Sequence, residues 1–215
     1  MNRKFETIGL FIVWFAVLAQ LYLIIQHRQE SVIETLIRFI SFFTILTNTL
    51  VAMYFTAIIF KLKAYPFSIL SSKGALTAIT TFILIVGLVY QLVLRSIWQP
   101  SGLQYLVDEL LHTFVPIYVF IYWCFKVDKL SIQPKNLIPW LLYPLFYLIF
   151  ILARGYFSEF YPYPFLDVHE IGLFKALLNI GLIIVVTMLL FGVLMFLGKL
   201  IIRQRIRNGA SNQLS

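Results

Sequence analysis

The chain has 215 residues, of which 61% are hydrophobic and only 12% are charged, and its mean hydropathy is +0.91. Soluble domains carry about 25% charged residues, so this composition excludes an ordinary soluble protein and indicates a polytopic membrane protein. The net charge of +8 is expected to flank membrane spans, and we expect no nucleic-acid partner. The single cysteine, Cys124, excludes an intrachain disulfide and a thiolate-rich metal site.

Six apolar runs are long enough to cross about 30 Å of hydrocarbon as helices. Their predicted boundaries are Phe5 to Ile25, Leu36 to Phe60, Gly74 to Leu94, Leu106 to Phe125, Leu137 to Ala153 and Ile171 to Ile202. We therefore predict an all-α fold, a six-transmembrane-helix bundle over residues 1–207, followed by a polar tail at residues 208–215. A signal-peptidase site could follow Ala19, but the apolar run continues to Ile25, which favours a retained first helix.

The distribution of positive charge predicts the orientation of the chain. When successive loops are assigned to alternate sides, twelve of the 17 Lys and Arg residues fall on the side of the two termini and five fall on the other. Cytoplasmic loops of membrane proteins collect Lys and Arg. We therefore predict that both termini are cytoplasmic.

Polar side chains inside a membrane span are costly, so each one requires a partner or a function. The second predicted span contains Thr44, Thr47, Asn48 and Thr49. Thr44 and Asn48 are four residues apart and therefore share a helix face. Hydrogen bonding between helices explains these residues as well as a catalytic site does.

His112 is the one histidine that falls within a predicted span. Asp108 precedes it by one helical turn, where a carboxylate would orient the imidazole. Thr44 and His112 are both expected roughly 9 to 12 Å below the outer boundary of the membrane. A hydroxyl and an imidazole at one depth are the elements of a nucleophile and its base, with Asn48 or backbone amides as oxyanion donors. A structural polar pair, or a cation or proton pathway, would produce the same pattern.

The loop between the fifth and sixth spans is rich in aromatic residues and proline. It is either an interfacial aromatic belt or a lid over a pocket beneath it. Its candidate substrate or lid residues are Arg154, Tyr161, Tyr163, Phe165 and Asp167. Arg154 is expected to pair with Asp167 or Glu159, or to hold an anionic headgroup or carboxylate. This loop contains one cluster of residue types that bind metals, but the sequence offers no second set of ligands to complete a site. We therefore predict no metal site and no cofactor.

These residues together resemble the androgen-induced membrane hydrolase family, and more closely its bacterial six-helix relatives. The resemblance covers nearly the whole chain and rests on Phe43-Thr44 with Asn48, Leu111-His112-Thr113 with Pro116, and the segment from Tyr161 to Asp167. Animal members of that family are threonine hydrolases that cleave fatty acid esters of hydroxy fatty acids with an intramembrane Thr and His. The resemblance implies that Thr44 is the nucleophile and His112 the base. It further implies a lipid-like ester substrate, membrane lipids as partners and a bacterial plasma membrane.

Other functions also fit parts of the sequence. A transporter or channel would line a path with polar residues, but few ionisable groups lie at the predicted bilayer centre and no repeated half is evident. A lipid or small-molecule receptor without chemistry would use the same pocket. A haem carrier would need paired histidines on the spans, and a rhomboid-like protease would need a serine nucleophile in a glycine-rich setting. The sequence contains neither pattern.

Overall fold

The structure is a computed structural model that describes the backbone of residues 3–211 and the side chains of residues 3–208. The described chain is 82% helical and has no strands. Its main helices are α1 (Arg3–Gln26), α2 (Val32–Ser41), α3 (Phe43–Phe60), α4 (Ala75–Leu94), α5 (Gly102–Lys126), α6 (Pro134–Ser158) and α7 (Leu173–Ser211). All of these except α2 are long and apolar enough to cross a membrane. The prediction of a six-helix membrane fold is confirmed.

The predicted second span, from Leu36 to Phe60, is divided into α2 and α3. The break is at Phe42, whose backbone is extended at φ −80° and ψ 122°. The carbonyl of Ser41 accepts a hydrogen bond from the Tyr147 hydroxyl at 3.0 Å, so it needs no helical partner further along the chain. Thr44 consequently lies in the first turn of α3 and not two turns inside a longer helix.

Two of the spanning helices contain a π-helical turn, at Tyr90–Leu94 in α4 and at Leu110–Phe114 in α5. In α5, Pro116 has no N–H to bond the carbonyl one turn earlier, and the N–H of Val115 reaches back to Leu110. The two π-helical turns face each other, because the ring of Tyr90 stacks on the imidazole of His112. The ring centroids are 4.1 Å apart, with an interplanar angle of 14°.

Contacts between the helices define two ends of the bundle. The start of α1 meets the end of α3, where Arg3 donates to the carbonyl of Ile59. It also meets α5, where the Tyr118 hydroxyl donates to the carbonyl of Phe5. We call this the basic end, because its helix termini and loops carry Arg3, Lys4, Lys61, Lys63, Lys73, Lys126, Lys129, Lys135, Lys199, Arg203, Arg205 and Arg207.

The most tightly packed part of the molecule is formed by α1, α3, α4 and α5. At its centre Trp123 is fully buried, and its indole N–H donates to the Thr77 hydroxyl at 2.9 Å. Helix α6 contributes few buried side chains, among them Tyr147 and Ile151. Helix α7 continues to Ser211, so the first part of the predicted tail at residues 208–215 is helical. Residues 212–215 of that tail lie outside the described residues.

Candidate functional site

A cavity of about 280 Å³ lies between α3, α4, α6 and α7 and is closed at one end by the loop between α6 and α7. Its lining is almost wholly apolar, and its polar side chains are Thr44, Tyr147, Tyr163 and Thr187. Leu145 of α6 and Ile184 and Met188 of α7 also line it, and these three side chains are about half exposed. The cavity therefore opens sideways, towards the position of the surrounding lipid.

Thr44 lines the cavity at its polar end. Its side chain is buried, and its hydroxyl oxygen is 3.4 Å from the hydroxyl oxygen of Tyr163. The backbone N–H of Thr44 donates to the same Tyr163 oxygen at 3.3 Å. The loop residue Tyr163 and the first turn of α3 thus form one hydrogen-bonded unit.

Asn48 joins α3 to the π-helical turn of α5. Its amide nitrogen donates to the carbonyl of Thr44 at 2.9 Å and to the carbonyl of Leu111 at 3.3 Å. Both amide hydrogens are therefore engaged, which differs from the predicted role of this side chain as an oxyanion donor. Its amide oxygen is buried without a hydrogen-bond partner among the described residues.

His112 lies next to Leu111 in the same turn. Its Nδ1 is 2.9 Å from the backbone carbonyl oxygen of Asp108, and its ring stacks on Tyr90. His112 is not part of the cavity lining, and no hydrogen bond joins it to Thr44 within residues 3–208. The structure thus places the predicted nucleophile and base on neighbouring helices, connected through Asn48.

The carboxylate of Asp108 does not orient the imidazole as the spacing predicts. It accepts hydrogen bonds from the indole N–H of Trp98 at 2.5 Å and from the Gln104 side chain at 3.1 Å. Only the backbone carbonyl of Asp108 meets His112. Trp98 belongs to the connection between α4 and α5, and nothing in its sequence spacing indicated this contact.

Arg154 pairs with Glu34 of α2 and not with the predicted Asp167 or Glu159. The Arg154 guanidinium meets a Glu34 carboxylate oxygen at 2.7 Å, and Arg38 meets the same oxygen at 2.8 Å. Hydrogen bonds from these two arginines, that of Arg38 being the stronger influence, lower the pKa of Glu34. One terminal nitrogen of Arg154 is buried and unpaired within the described part of the chain.

The remaining predicted loop residues have separate roles. Phe165 lines the cavity and stacks on Tyr163, with centroids 5.1 Å apart and an interplanar angle of 9°. Asp167 lies outside the cavity and caps the helical turn Val168–Ile171 by accepting two backbone N–H groups. Tyr161 packs against Gly155 at the end of α6. The loop therefore covers the cavity through Tyr163 and Phe165, while the other residues hold it in place.

Sequence reasoning missed three groups that build the site. Tyr90 supports the imidazole of His112, Tyr147 holds the break between α2 and α3, and Glu34 anchors Arg154. The only signal in the sequence was that each of these residues has a polar side chain near a span boundary. Many residues without such a role share that property. Within residues 3–208, no three His, Cys, Asp or Glu side chains group together as metal ligands.

Comparison of the chain with models of known protein families, with curated proteins and with solved structures finds no match. The resemblance drawn from the sequence motifs consequently stays a prediction. Function is therefore argued from the cavity and the residues around it.

Proposed function

We propose that the protein is a membrane-embedded hydrolase of lipid-like esters, with Thr44 as nucleophile and His112 as general base. One observation carries this proposal. The Thr44 hydroxyl lies at the polar end of an apolar cavity, and the single side chain of Asn48 connects its helix to the turn that holds His112. An ester with a long acyl chain suits such a cavity, because the chain is apolar and only the ester group requires polar partners.

The hydrogen bonding of His112 supports its role as a base. Its Nδ1 contacts the carbonyl oxygen of Asp108, which can only accept, so Nδ1 carries the proton of the neutral imidazole. Nε2 then holds the free lone pair. In this proposal that nitrogen takes the Thr44 proton, directly or through water, once the substrate is bound.

The proposed reaction has two halves. His112 takes the hydroxyl proton of Thr44 while the Thr44 oxygen bonds to the ester carbonyl carbon, which gives a tetrahedral intermediate. The bond to the leaving alcohol oxygen then breaks, and the imidazolium returns the proton to that oxygen. Next, a water molecule gives one proton to His112 and its oxygen bonds to the acyl carbon. The bond to the Thr44 oxygen breaks, that oxygen regains a proton from His112, and the acid is released.

The substrate class and the location form part of the same proposal. Fatty acid esters of hydroxy fatty acids fit the lateral opening between α6 and α7, because such amphipathic molecules reach the cavity from within the membrane. We further propose a bacterial plasma membrane with the basic end in the cytoplasm, which puts both termini on that side. Thr44 and the covering loop then belong to the outer half of the membrane.

Labelling by a fluorophosphonate that reacts with activated Ser and Thr hydroxyls tests the proposal on purified protein in detergent. We expect the wild type to be labelled and to hydrolyse lipid esters. We expect Thr44→Ala and His112→Ala each to lower the rate of ester hydrolysis about 10³-fold or more. Thr80→Ala and His169→Ala are the controls, because Thr80 is a buried Thr bonded to its own helix and His169 is exposed.

A folded wild-type protein that is neither labelled nor active on any lipid ester would contradict the proposal. An equal loss of hydrolysis rate in Thr80→Ala and Thr44→Ala would also contradict it, since both variants would then act through protein stability and not through the reaction. Folding of each variant is checked by its melting temperature in the same detergent.

One observation favours a second function, that of a lipid or small-molecule receptor or transporter without chemistry. The group nearest to the Thr44 hydroxyl is the Tyr163 hydroxyl and not the imidazole. Native mass spectrometry of the purified protein distinguishes the two functions. A receptor would retain an unchanged lipid in the wild type and in Thr44→Ala alike, whereas a hydrolase would retain intact ester only in the variant.

A further inference from the structure

The proposed reaction requires a hydrogen-bond donor for the ester oxygen that becomes negative when Thr44 attacks. Such donors work at about 2.7 to 3.1 Å from that oxygen. Asn48 cannot supply one, because both of its amide hydrogens bond backbone carbonyls. Tyr147 also lines the cavity, but its hydroxyl donates to the carbonyl of Ser41. Neither of these two side chains therefore has a proton free for that oxygen.

Tyr163 has the required position. Its hydroxyl oxygen accepts the backbone N–H of Thr44 at 3.3 Å, and its proton can turn towards an oxygen of the substrate when Thr44 acts as the donor in their mutual contact. The same oxygen is 3.4 Å from the Thr44 hydroxyl, close enough to meet a second oxygen attached to the carbon that Thr44 attacks. Tyr163 lines the cavity, and its ring is held between Phe42 and Phe165.

The start of α3 also stabilises negative charge near Thr44. Thr44 lies in the first turn of an 18-residue helix whose preceding residue, Phe42, provides no side-chain cap. The aligned peptide dipoles at the start of such a helix create a positive field that stabilises nearby negative charge. Burial also raises the pKa of the Tyr163 phenol, so the hydroxyl keeps its proton at neutral pH.

We infer that Tyr163 is a further catalytic residue, which donates its hydroxyl hydrogen bond to the oxyanion formed on the ester while the Thr44 N–H holds its oxygen in place. This inference rests on the proposed hydrolase activity. It assigns the Tyr163 hydroxyl to a developing charge on the substrate, in addition to its part in closing the cavity.

Tyr163→Phe tests the inference, with Tyr143→Phe as the matched control. Tyr143 lies on α6 outside the cavity lining, and its hydroxyl bonds Thr47 of the same helix α3 at 3.0 Å. Both variants thus lose a hydroxyl that contacts the hydroxyl of a threonine in α3. We expect Tyr163→Phe to lower kcat about 10²-fold with little change in KM, because the lost contact forms only in the transition state. We expect Tyr143→Phe to stay within about twofold of wild type.

Replacement of Tyr163 by 3,5-difluorotyrosine keeps the ring, the hydroxyl and their contacts while making the phenol more acidic. We expect kcat to fall at a lower pH on the alkaline side than in the wild type, because the donor loses its proton earlier. A purely structural hydroxyl would leave this pH profile unmoved. The measurement remains informative even if Tyr163→Phe fails to fold.

The outcomes separate the inference from the function beneath it. An active wild type with an unchanged pH profile in the fluorinated variant, or with equal kcat in Tyr163→Phe and Tyr143→Phe, would overturn the role of Tyr163 alone. A folded wild type that is neither labelled nor active would overturn the proposed hydrolase, and the inference would fall with it.

Discussion

The two halves of the bundle differ in how closely they are packed. In the most hydropathic 18-residue stretch of α4, 61% of the residues are buried, compared with 17% for α6 and 22% for α7. Lipid is as apolar as these side chains, so packing contacts and hydrogen bonds decide how membrane helices associate. The close half, α1 with α3, α4 and α5, acts as a scaffold. The open half encloses the apolar cavity of about 280 Å³.

Three tyrosine hydroxyls join the open half to α2 and to helix α3 of the scaffold. Tyr143 and Tyr147 of α6 bond Thr47 and Ser41, and Tyr163 of the covering loop bonds Thr44. Each hydroxyl reaches a polar group of α2 or α3. The candidate site is therefore located where the two halves meet, with Thr44, the proposed nucleophile, on the closely packed side and its cover on the open side.

The largest loss of stability is expected from Trp123→Ala in the scaffold. Removing this fully buried indole leaves a cavity and an unpaired Thr77 hydroxyl, and should lower the free energy of unfolding by about 3 to 5 kcal/mol. Trp140→Ala, at a half-buried Trp of α6, is the matched control and should cost less than half as much. Unfolding in mixed micelles measures both. Equal losses would show that the two halves are packed alike.

A smaller effect is expected from Gly155→Ala, near the end of α6. A methyl group there would overlap the ring of Tyr161, so the covering loop must move, at a cost of about 1 to 3 kcal/mol. Gly181→Ala is the control, because no atom lies near its added methyl and alanine favours the helix. The melting temperature should fall for the first variant and stay level or rise for the second. A lower melting temperature in both variants would mean that alanine destabilises the helices themselves and that the contact with the loop is not the cause.

The six spans could be predicted because membrane helices require long apolar runs, and the runs here are interrupted by charge and proline. The break at Phe42 could not be predicted. No glycine or proline marks it, and the Ser41 carbonyl beside it bonds the Tyr147 hydroxyl, more than one hundred residues away. The break puts Thr44 in the first turn of its helix, which changes the donors around it.

Part of the candidate site could also be predicted from the sequence. Thr44, Asn48 and His112 stand out because polar groups are rare in spans. Their partners do not, since aromatic hydroxyls such as those of Tyr163 and Tyr147 are common near membrane boundaries. The predicted partners of Arg154, Asp167 and Glu159, were wrong because its partner Glu34 lies 120 positions away, in a helix that the sequence pattern does not separate from the second span.

Thr187→Phe should fill part of the cavity without loss of stability. The hydroxyl of Thr187 bonds only its own helix, and a cavity of about 280 Å³ has room for a ring. We expect the unfolding free energy to stay level or rise by about 0.5 to 2 kcal/mol, because the ring fills empty space, together with weaker retention of lipid in native mass spectrometry. Thr187→Val is the control, since it removes the hydroxyl without filling space. Unchanged lipid retention in Thr187→Phe would mean that the ligand lies elsewhere.

The smallest effect on stability is expected from the ion pairs that attach α2 to α6. The pKa of Glu34 is lowered in the folded protein, so its pairing with Arg38 and Arg154 stabilises the fold above the ordinary carboxyl pKa of 4.5. That contribution is lost as the pH falls through the lower, folded pKa. The difference in melting temperature between wild type and Glu34→Gln should therefore be steady from about pH 7 to pH 5 and shrink below about pH 4.5. Glu170→Gln, at an exposed carboxylate of the covering loop, should give no such trend. A difference that grows as the pH falls would contradict the pairing, because a carboxylate held by two guanidinium groups must lose stabilisation when it is protonated.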